Sequence, residues 1–568
     1  MAVSADDLAR RIEQAAGRAP ADLVIRNARL LNLSTGSLDA TEVAITGDTI
    51  VGTYETYEAA REIDAGGRIV VPGFIDTHVH IESSMVTPAE FERLVLPRGT
   101  TTAIVDPHEI ANVLGTEGIR YILDSAEAAS LGVFVQLSSC VPSSHLETSG
   151  ARLEAGDLVA LRDHPKAYGL AEFMNFPGVI AADPGCLAKI AAFADRVRDG
   201  HSPLLSGKGL NAYLAAGIQN DHEATRIREA EEKLKRGMHI CMREGSLAKD
   251  VKALAALLDD LTSPFMSFCT DDRNPLEIVR DGHIDHAIRV AIKAGAPPVA
   301  AYRAATVSAA RAFRLYDRGL VAPGYRADLV LLDDLETCQV ADVLLAGRPI
   351  ADALSEHRHP APVGAGSVRL DPVEPSLFAV EADGPGGPVI GVVEGSLITE
   401  HLTLDLPFAD GQRLPDVVHG VHKVAVLARH GVNRNVGRAF VRGFGSLKGA
   451  LATSVGHDSH NITVVGADDR SMATAVNRVI AMQGGLVAAR DDHVLADLPL
   501  PLAGLMSDRP YEEVTAGLER ALEAARTLGC GLAEPYLQMA FLPLPVIPHL
   551  KLTDHGLVDV DRFTLLPG

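Results

Sequence analysis

The sequence predicts an α/β protein: a (β/α)8 TIM-type barrel with a small flanking β-domain and an extra C-terminal α/β domain. Three observations predict it. Eight short apolar runs alternate with helical stretches between residues 73 and 316, close to the roughly 250 residues usual for such a barrel. Hairpin-like strands lie on both sides of that region. A Pro- and Gly-bearing stretch then separates it from a last segment with strands and helices of its own.

The elements follow in chain order. MAVSADDLARRIEQAAGRAP reads as a short amphipathic helix, and LVIRNARLLN, TEVAITGDTIVG and GRIVVPG as strands joined by Gly-, Asn- and Asp-bearing turns. Residues 1–72 are therefore an N-terminal helix and the first part of the small β-domain. Residues 73–316 hold the eight barrel strands: GFIDTHVH, TTAIVDPHE, GVFVQLSS, AYGLAEFMN, VRDGH, AAGIQNDH, MHICMREGS and FMSFCTDD. Helices between them are expected at PAEFERLVLPRG, AEEKLKRG and SLAKDVKALAALLDDL. The strand rhythm of RGLVAPGYRADLVLLDDLETCQVADVLLAGRPIA makes residues 317–365 the second part of the β-domain, rejoining the N-terminal strands. Beyond the linker-like HPAPVGAGS, residues 366–568 form the C-terminal domain. Its strands include VHKVAVLARHG and NITVVGADD, and its helices SMATAVNRVIAMQG and YEEVTAGLERALEAARTLG.

Composition narrows the function. Lys and Arg number 52 against 74 Asp and Glu, a formal charge of −22. Such a surface repels phosphate backbones and anionic lipid, so neither a nucleic acid nor a membrane is expected as a partner. Cys140, Cys186, Cys241, Cys269, Cys338 and Cys530 form no C-x-x-C pair and fit isolated thiols in a reducing compartment. The N-terminus lacks the apolar core of a signal peptide, and no apolar run is long enough to span a bilayer. A cytoplasmic enzyme is the expectation.

The chemistry is concentrated at strand ends. His78 and His80 in GFIDTHVH sit two apart on a strand, so both imidazoles face one side and can share a divalent cation. An H-x-H pair alone is a weak signal. Later strands also end in ligand-type residues: Glu172 in AEFMN, His201 in DGHSP, His222 in NDHEA and Asp271 in CTDD. Barrel strand ends converge on one mouth. Four histidines and two carboxylates there can hold two metals, which bring the pKa of bound water to about 7 and supply a hydroxide nucleophile.

The run VPGFIDTHVHIESSMVTPAEFERLVLPRGTTTAIVDPHEIANVLG resembles the signature of bacterial adenine deaminases, a branch of the amidohydrolase superfamily. AEFMNFPGV, GKGLNAYLAAGIQNDHEA, MREGS and FCTDDRNP resemble its later motifs, and GHDSHN and MQGGLVAARDD its C-terminal domain, so the likeness covers nearly the whole chain. The resemblance implies two divalent metal ions, manganese or iron with zinc as an alternative, on His78, His80, Glu172, His201, His222 and Asp271. Lys166 opens the fourth strand while Glu172 lies near its C-terminal end, which favours the glutamate over a carboxylated lysine as the bridge.

The implied reaction is hydrolysis of adenine to hypoxanthine and ammonia by a metal-activated hydroxide attacking C6. Asp271, His222 and Glu172 carry the catalysis, with Asp271 relaying protons, a contribution of roughly 10²–10⁴-fold. Asp272 is the rival, because TDD offers carboxylates on opposite faces. A small-molecule purine base is the expected partner, and the resemblance implies a homodimer. Related aminopurines, N6-substituted or isomeric, remain alternatives, and a cyclic amide is a weaker one.

Glu82 and Ser83 could line the purine pocket or, with Ser84, cap the following helix. His108, with Glu109, could contact substrate, support a ligand or hydrogen-bond its own loop. Glu244 could orient substrate or pair with Arg243. His457, Asp458, His460 and Asn461 in GHDSHN read as a polar turn or as a contact reaching the barrel mouth, with no metal of their own. His283 and His286 in HIDH, and His357 and His359 in EHRHP, read as exposed helix or linker residues without a role.

Overall fold

The computed structural model describes residues 4–354 and 360–566. His357 and His359 lie outside the described residues. All eight strand segments named above form parallel strands, arranged in two sheets. The first sheet runs in sequence order through Phe74–Val79, Thr100–Val105, Gly132–Leu137, Ala167–Phe173 and Val197–Gly200. The second comprises Asn220–Asp221, His239–Arg243 and Met266–Cys269. The strands Phe74–Val79 and Thr100–Val105 are buried along their whole length, as a sheet covered on both faces requires.

The two sheets meet at two seams. Val79 and Asp271 form a parallel bridge, in which the Asp271 amide donates to the His78 carbonyl at 2.9 Å and the His80 amide to the Asp271 carbonyl at 3.1 Å. At the other seam the Gln219 amide donates to the Arg198 carbonyl at 3.2 Å. Close approach of the strands fixes Gly169: a Cβ there would lie 2.3 Å from the Val197 carbonyl oxygen and 2.2 Å from Gln136 Oε1. Only glycine lets the strands meet there.

The flanking segments assemble into one sheet. Leu329–Asp334 pairs antiparallel with Ile69–Pro72, which itself pairs with Leu23–Leu31. The C-terminal segment builds an eight-stranded sheet centred on Val421–Leu427 and Ile462–Gly466. Helix Asp469–Ala481 covers one face through Met472, Val476 and Val479. On the other face Leu451, Val465 and Leu486 share a core with helix Tyr511–Thr527 and with apolar residues of the helices outside the first parallel strands, such as Phe91 and Ile110. That shared core holds the C-terminal segment over the strand ends. Polar ties reinforce it: Asn461 Nδ2 donates to the Thr148 carbonyl at 2.9 Å, and the Ser507 amide to the Met85 carbonyl at 2.8 Å.

Two sequence expectations are corrected. SLAKDVKALAALLDDL yields only the short helix Val251–Leu254 and a 3-10 turn. Its first residues are drawn into a bridge between Glu244 and Lys249, and the Asp250 amide donates to the Arg243 carbonyl at 2.8 Å. His283 is buried rather than exposed. It precedes helix Ile284–Lys293, whose N-terminus turns toward the strands, placing His283 Nε2 3.3 Å from Asp76 Oδ2 and Nδ1 3.0 Å from Thr100 Oγ1. His286 is only partly covered and lies 3.7 Å from Glu244.

The six cysteines are free and buried. Among the described residues no helix is long and apolar enough to cross a membrane.

Candidate active site

The C-terminal ends of the parallel strands bring together all six residues expected to ligate metal. Each is buried. Glu172, near the end of Ala167–Phe173, stands between two pairs of imidazoles. Its Oε1 lies 3.4 Å from His80 Nε2 and 3.6 Å from His78 Nε2. Its Oε2 lies 2.7 Å from His201 Nδ1 and 3.3 Å from His222 Nε2. Asp271 Oδ1 faces the first pair, 3.1 Å from His80 Nε2 and 3.8 Å from His78 Nε2.

Supporting groups aim these donors. His80 Nδ1 donates to the Asp106 carbonyl at 2.9 Å, which leaves Nε2 bare toward Glu172 and Asp271. Burial first, then the neighbouring His222, holds His78 down to about 4, so it is a neutral donor near pH 7. A set of imidazole nitrogens and carboxylate oxygens converging in a buried space is the donor chemistry of divalent transition metals; the ligand atoms of His78, His80 and Asp271, and those of His78, Glu172 and His222, lie within 4.8 Å of one another. The residues fit metal ions.

Asp271 has φ +56°, a left-handed conformation that aspartate tolerates. It follows the last strand and bends the chain to the first. Its Oδ2 accepts from Arg243 at 2.5 Å, and the same guanidinium nitrogen donates to Glu223 Oε1 at 2.6 Å. Burial works to raise the Asp271 carboxyl, but Arg243, His80 and His222 hold it well below the usual range. Asp272 points the other way, taking a hydrogen bond from Ser83 and lying 4.0 Å from His457 Nε2.

Of the two readings of Glu244, the pairing with Arg243 does not occur. Successive residues at a strand end face opposite sides, so Arg243 enters the site while Glu244 turns toward His286. Among the residues expected at substrate, His108 lines the cavity, and Glu82, Ser83 and Glu244 do not. Glu82 is buried and accepts from the Ile110 amide at 3.1 Å, at the base of the loop after the second strand; burial pushes its carboxyl up to about 7.

Sequence reasoning missed one contribution and left a second open among its alternatives. Glu223 beside His222 lines the cavity, 3.8 Å from His201 Nδ1, although NDHE spells it out. The GHDSHN segment also reaches the strand ends: His457 Nδ1 lies 2.7 Å from Glu109 Oε1 and Asp458 Oδ1 3.8 Å from His108 Nε2. Leu397, Phe541, Leu544 and Ile547 complete an apolar roof, with Phe541 stacked on His457 at 4.4 Å. The cavity among these residues is about 30 Å³, room for a water or two and not for a two-ring base.

The loops bearing His201 and His222 are pinned from behind. Lys233 Nζ, fully buried, donates to Asp221 Oδ2 at 2.8 Å, to the Ser202 carbonyl at 2.8 Å and to Glu229 Oε1 at 2.7 Å. Burial alone would raise the Asp221 carboxyl, but Lys233 beside it brings it down to about 2. The folded pKa is thus below the unfolded value of roughly 3.9. This carboxylate contributes stability in full above about pH 4 and loses it as pH falls through about 2. Lys233→Met strands Asp221 as a buried charge and is expected to cost about 3–5 kcal/mol in a urea melt at pH 7. A midpoint unchanged from wild type would show that Lys233 does not hold these loops.

The strand-end histidines, the glutamate between them and the closing aspartate define an amidohydrolase-type hydrolase, a metal-dependent class. The amidohydrolase family profile matches residues 69–351, and that of the adenine deaminase C-terminal domain residues 396–564. A protein of Methylobacterium nodulans named adenine deaminase is 62% identical over 563 residues, covering 99% of each chain. Adenine deaminase of Gluconobacter oxydans is 60% identical over 97% of this chain and 98% of that one. Adenine deaminase 1 of Rhizobium meliloti is 57% identical over 98% and 99%. Among solved structures, an adenosine deaminase from Xanthomonas campestris with bound zinc aligns over 58% of this chain and 93% of that one, at 18% identity and a TM-score of 0.44. The chain belongs to the adenine deaminase family.

Proposed function

We propose that this protein hydrolyses adenine to hypoxanthine and ammonia. The observation that carries the reading is Glu172 standing between His78/His80 and His201/His222 with Asp271 opposite, in a chain alike over its full length to proteins named adenine deaminase. In this reading the eight strands close as a (β/α)8 barrel over residues 73–316. Residues 1–72 and 317–365 form the β-domain, and 366–568 the domain that roofs the site. The bridge from Val79 to Asp271 and the bond from Gln219 to Arg198 support closure. A homodimer in the cytoplasm is the setting the resemblance implies.

His78, His80, Glu172, His201, His222 and Asp271 would hold two divalent ions, manganese or iron in preference to zinc, with Glu172 shared between them. Such ions supply the acidity that makes water a nucleophile near neutral pH. Asp271 accepts the proton of the attacking water; Arg243 holds it in place by its other oxygen. As oxygen adds to C6, the proton passes from Asp271 toward the ring nitrogen or the amine, the C6–N bond breaks, and ammonia leaves. His108 is the substrate-facing residue of the second strand's loop, whereas Glu82 and Ser83 support that loop and Asp272. The roof of Leu397, Phe541, Leu544 and Ile547 has to withdraw to admit the base, and on closing it keeps bulk water from the reacting carbon.

The test is ultraviolet detection of hypoxanthine and ammonia from adenine, with protein stripped of metal and then reloaded with Mn²⁺. Metal-dependent turnover is expected. No turnover of adenine under any metal, with the fold intact, would overturn the substrate assignment and direct the assay to other aminopurines.

A further inference from the structure

The roof of the site is made from two stretches far apart in sequence: residues 396–399, which carry Leu397, and residues 541–547, which carry Phe541, Leu544 and Ile547. Neither forms a strand of a sheet. The second reads FLPLPVI, and Pro543 and Pro545 have no N–H to give a neighbour. The first follows an exposed turn at Glu394 and Gly395. The carbonyls of both stretches therefore have to find donors outside themselves.

One side chain reaches both. Lys551, on the strand Leu550–Thr553, is fully buried, and its Nζ donates to the Leu397 carbonyl at 2.8 Å and to the Phe541 carbonyl at 3.0 Å. Among the described residues no carboxylate pairs with it, and burial brings its ammonium down to about 7. Charged or neutral, the amine keeps at least two N–H donors, one for each carbonyl. A buried amine is costly unless its donors are used, and these two are used on the two halves of the roof. Further bonds run the same way. Gln538 Nε2 donates to the Ser396 carbonyl at 2.9 Å, the Thr399 amide to the Pro548 carbonyl at 3.0 Å, and Thr399 Oγ1 to the Leu550 carbonyl at 2.8 Å.

Toward the barrel the contact is of another kind. Leu247, in the loop after the seventh strand, shares an apolar cluster with Phe541, Leu544 and Ile547. Among the described residues no hydrogen bond joins residues 396–399 or 541–547 to the strand-end loops. Directional bonds hold the roof together, while apolar contact seals it to the wall. Such a seal can part and re-form without stranding a polar group.

We propose that Lys551 is the positioning residue of the roof, joining residues 396–399 to residues 541–547 so that the two stretches uncover and cover the site as one body. The inference rests on the reading that the base enters beneath this roof. Without the tie, the Leu397 stretch hangs from its exposed turn and has to be ordered anew each time a base is covered. That cost falls on the bound base and on the transition state alike, so it enters KM and not kcat.

Lys551→Met keeps most of the side chain's length and removes its donors. The metal-loaded variant is expected to show a KM for adenine raised about tenfold, with kcat within about threefold of wild type and metal content unchanged. Amide hydrogen exchange of the ligand-free variant, read by mass spectrometry, is expected to quicken about tenfold at residues 396–399 and to stay at the wild-type rate in helix Asp469–Ala481. In the wild type, saturating hypoxanthine is expected to slow exchange in both roof stretches together, a result that needs no variant. Slowing confined to one stretch would overturn the single body. Wild-type exchange at residues 396–399 in the variant, or wild-type KM beside a lowered melting temperature, would make Lys551 a packing residue only and overturn its positioning role. Exchange as expected with no turnover of adenine by the wild type would count against the substrate and leave the tie standing, so the two failures are separable.

Discussion

On the two-ion reading proposed above, Glu172→Gln is expected to lose both ions and to lower kcat by on the order of 10⁴-fold or more, because water at pH 7 is then left near its bulk pKa instead of about 7. Glu172 offers one oxygen to His78 and His80 and the other to His201 and His222. A glutamine keeps the volume and one acceptor but replaces the second with an amide nitrogen, which cannot ligate. It also removes the negative charge that two adjacent cations require. The measurement is metal content by plasma mass spectrometry beside steady-state turnover. A variant that kept two ions and near-normal turnover would remove Glu172 from the bridging role and direct attention to another carboxylate, with Glu223 first.

Asp271→Asn is expected to lower kcat by roughly 10²–10⁴-fold, the usual worth of a positioned proton relay. Its folding is expected to change little, since Asn occupies left-handed backbone as readily as Asp. Arg243 sharpens the case. It donates to both Asp271 and Glu223 from one nitrogen, so the variant leaves it the Glu223 partner and does not strand a buried cation. The companion variant is Asp272→Asn, whose carboxylate faces Ser83 and His457. If Asp272→Asn proved the more damaging of the two, with metal content equal in both, the relay would belong to Asp272. Pre-steady-state turnover with adenine decides between them, because it reports the chemical step without product release.

How much was legible in the sequence depended on how local the signal was. His78 and His80 were readable because a strand's period of two puts alternate side chains on one face, whatever the rest of the chain does. Glu172, His201, His222 and Asp271 were readable one strand at a time. Each ends a short apolar run, and parallel strands in such a repeat end on the same side. Arg243 was visible as a strand-end residue, but its partners were not: the open alternative of a pair with Glu244 named the sequence neighbour, where strand geometry sends neighbours apart. His283 looked like a surface helix residue because nothing in HIDH says that the helix N-terminus turns inward to Asp76.

The sequence by itself determined the order of the strands and most of the helices, the six candidate donors and the acidic balance, all properties of local pattern and residue type. Only the tertiary structure decided that Glu109 meets His457, that Arg243 locks Asp271 to Glu223, and that Leu397, Phe541, Leu544 and Ile547 close the space above them. Residues 109 and 457 are joined by no periodicity. They meet because the C-terminal sheet and the helices outside the first parallel strands bury their apolar faces in one core, and the hydrophobic effect rewards area removed from water without specifying which polar groups are carried along.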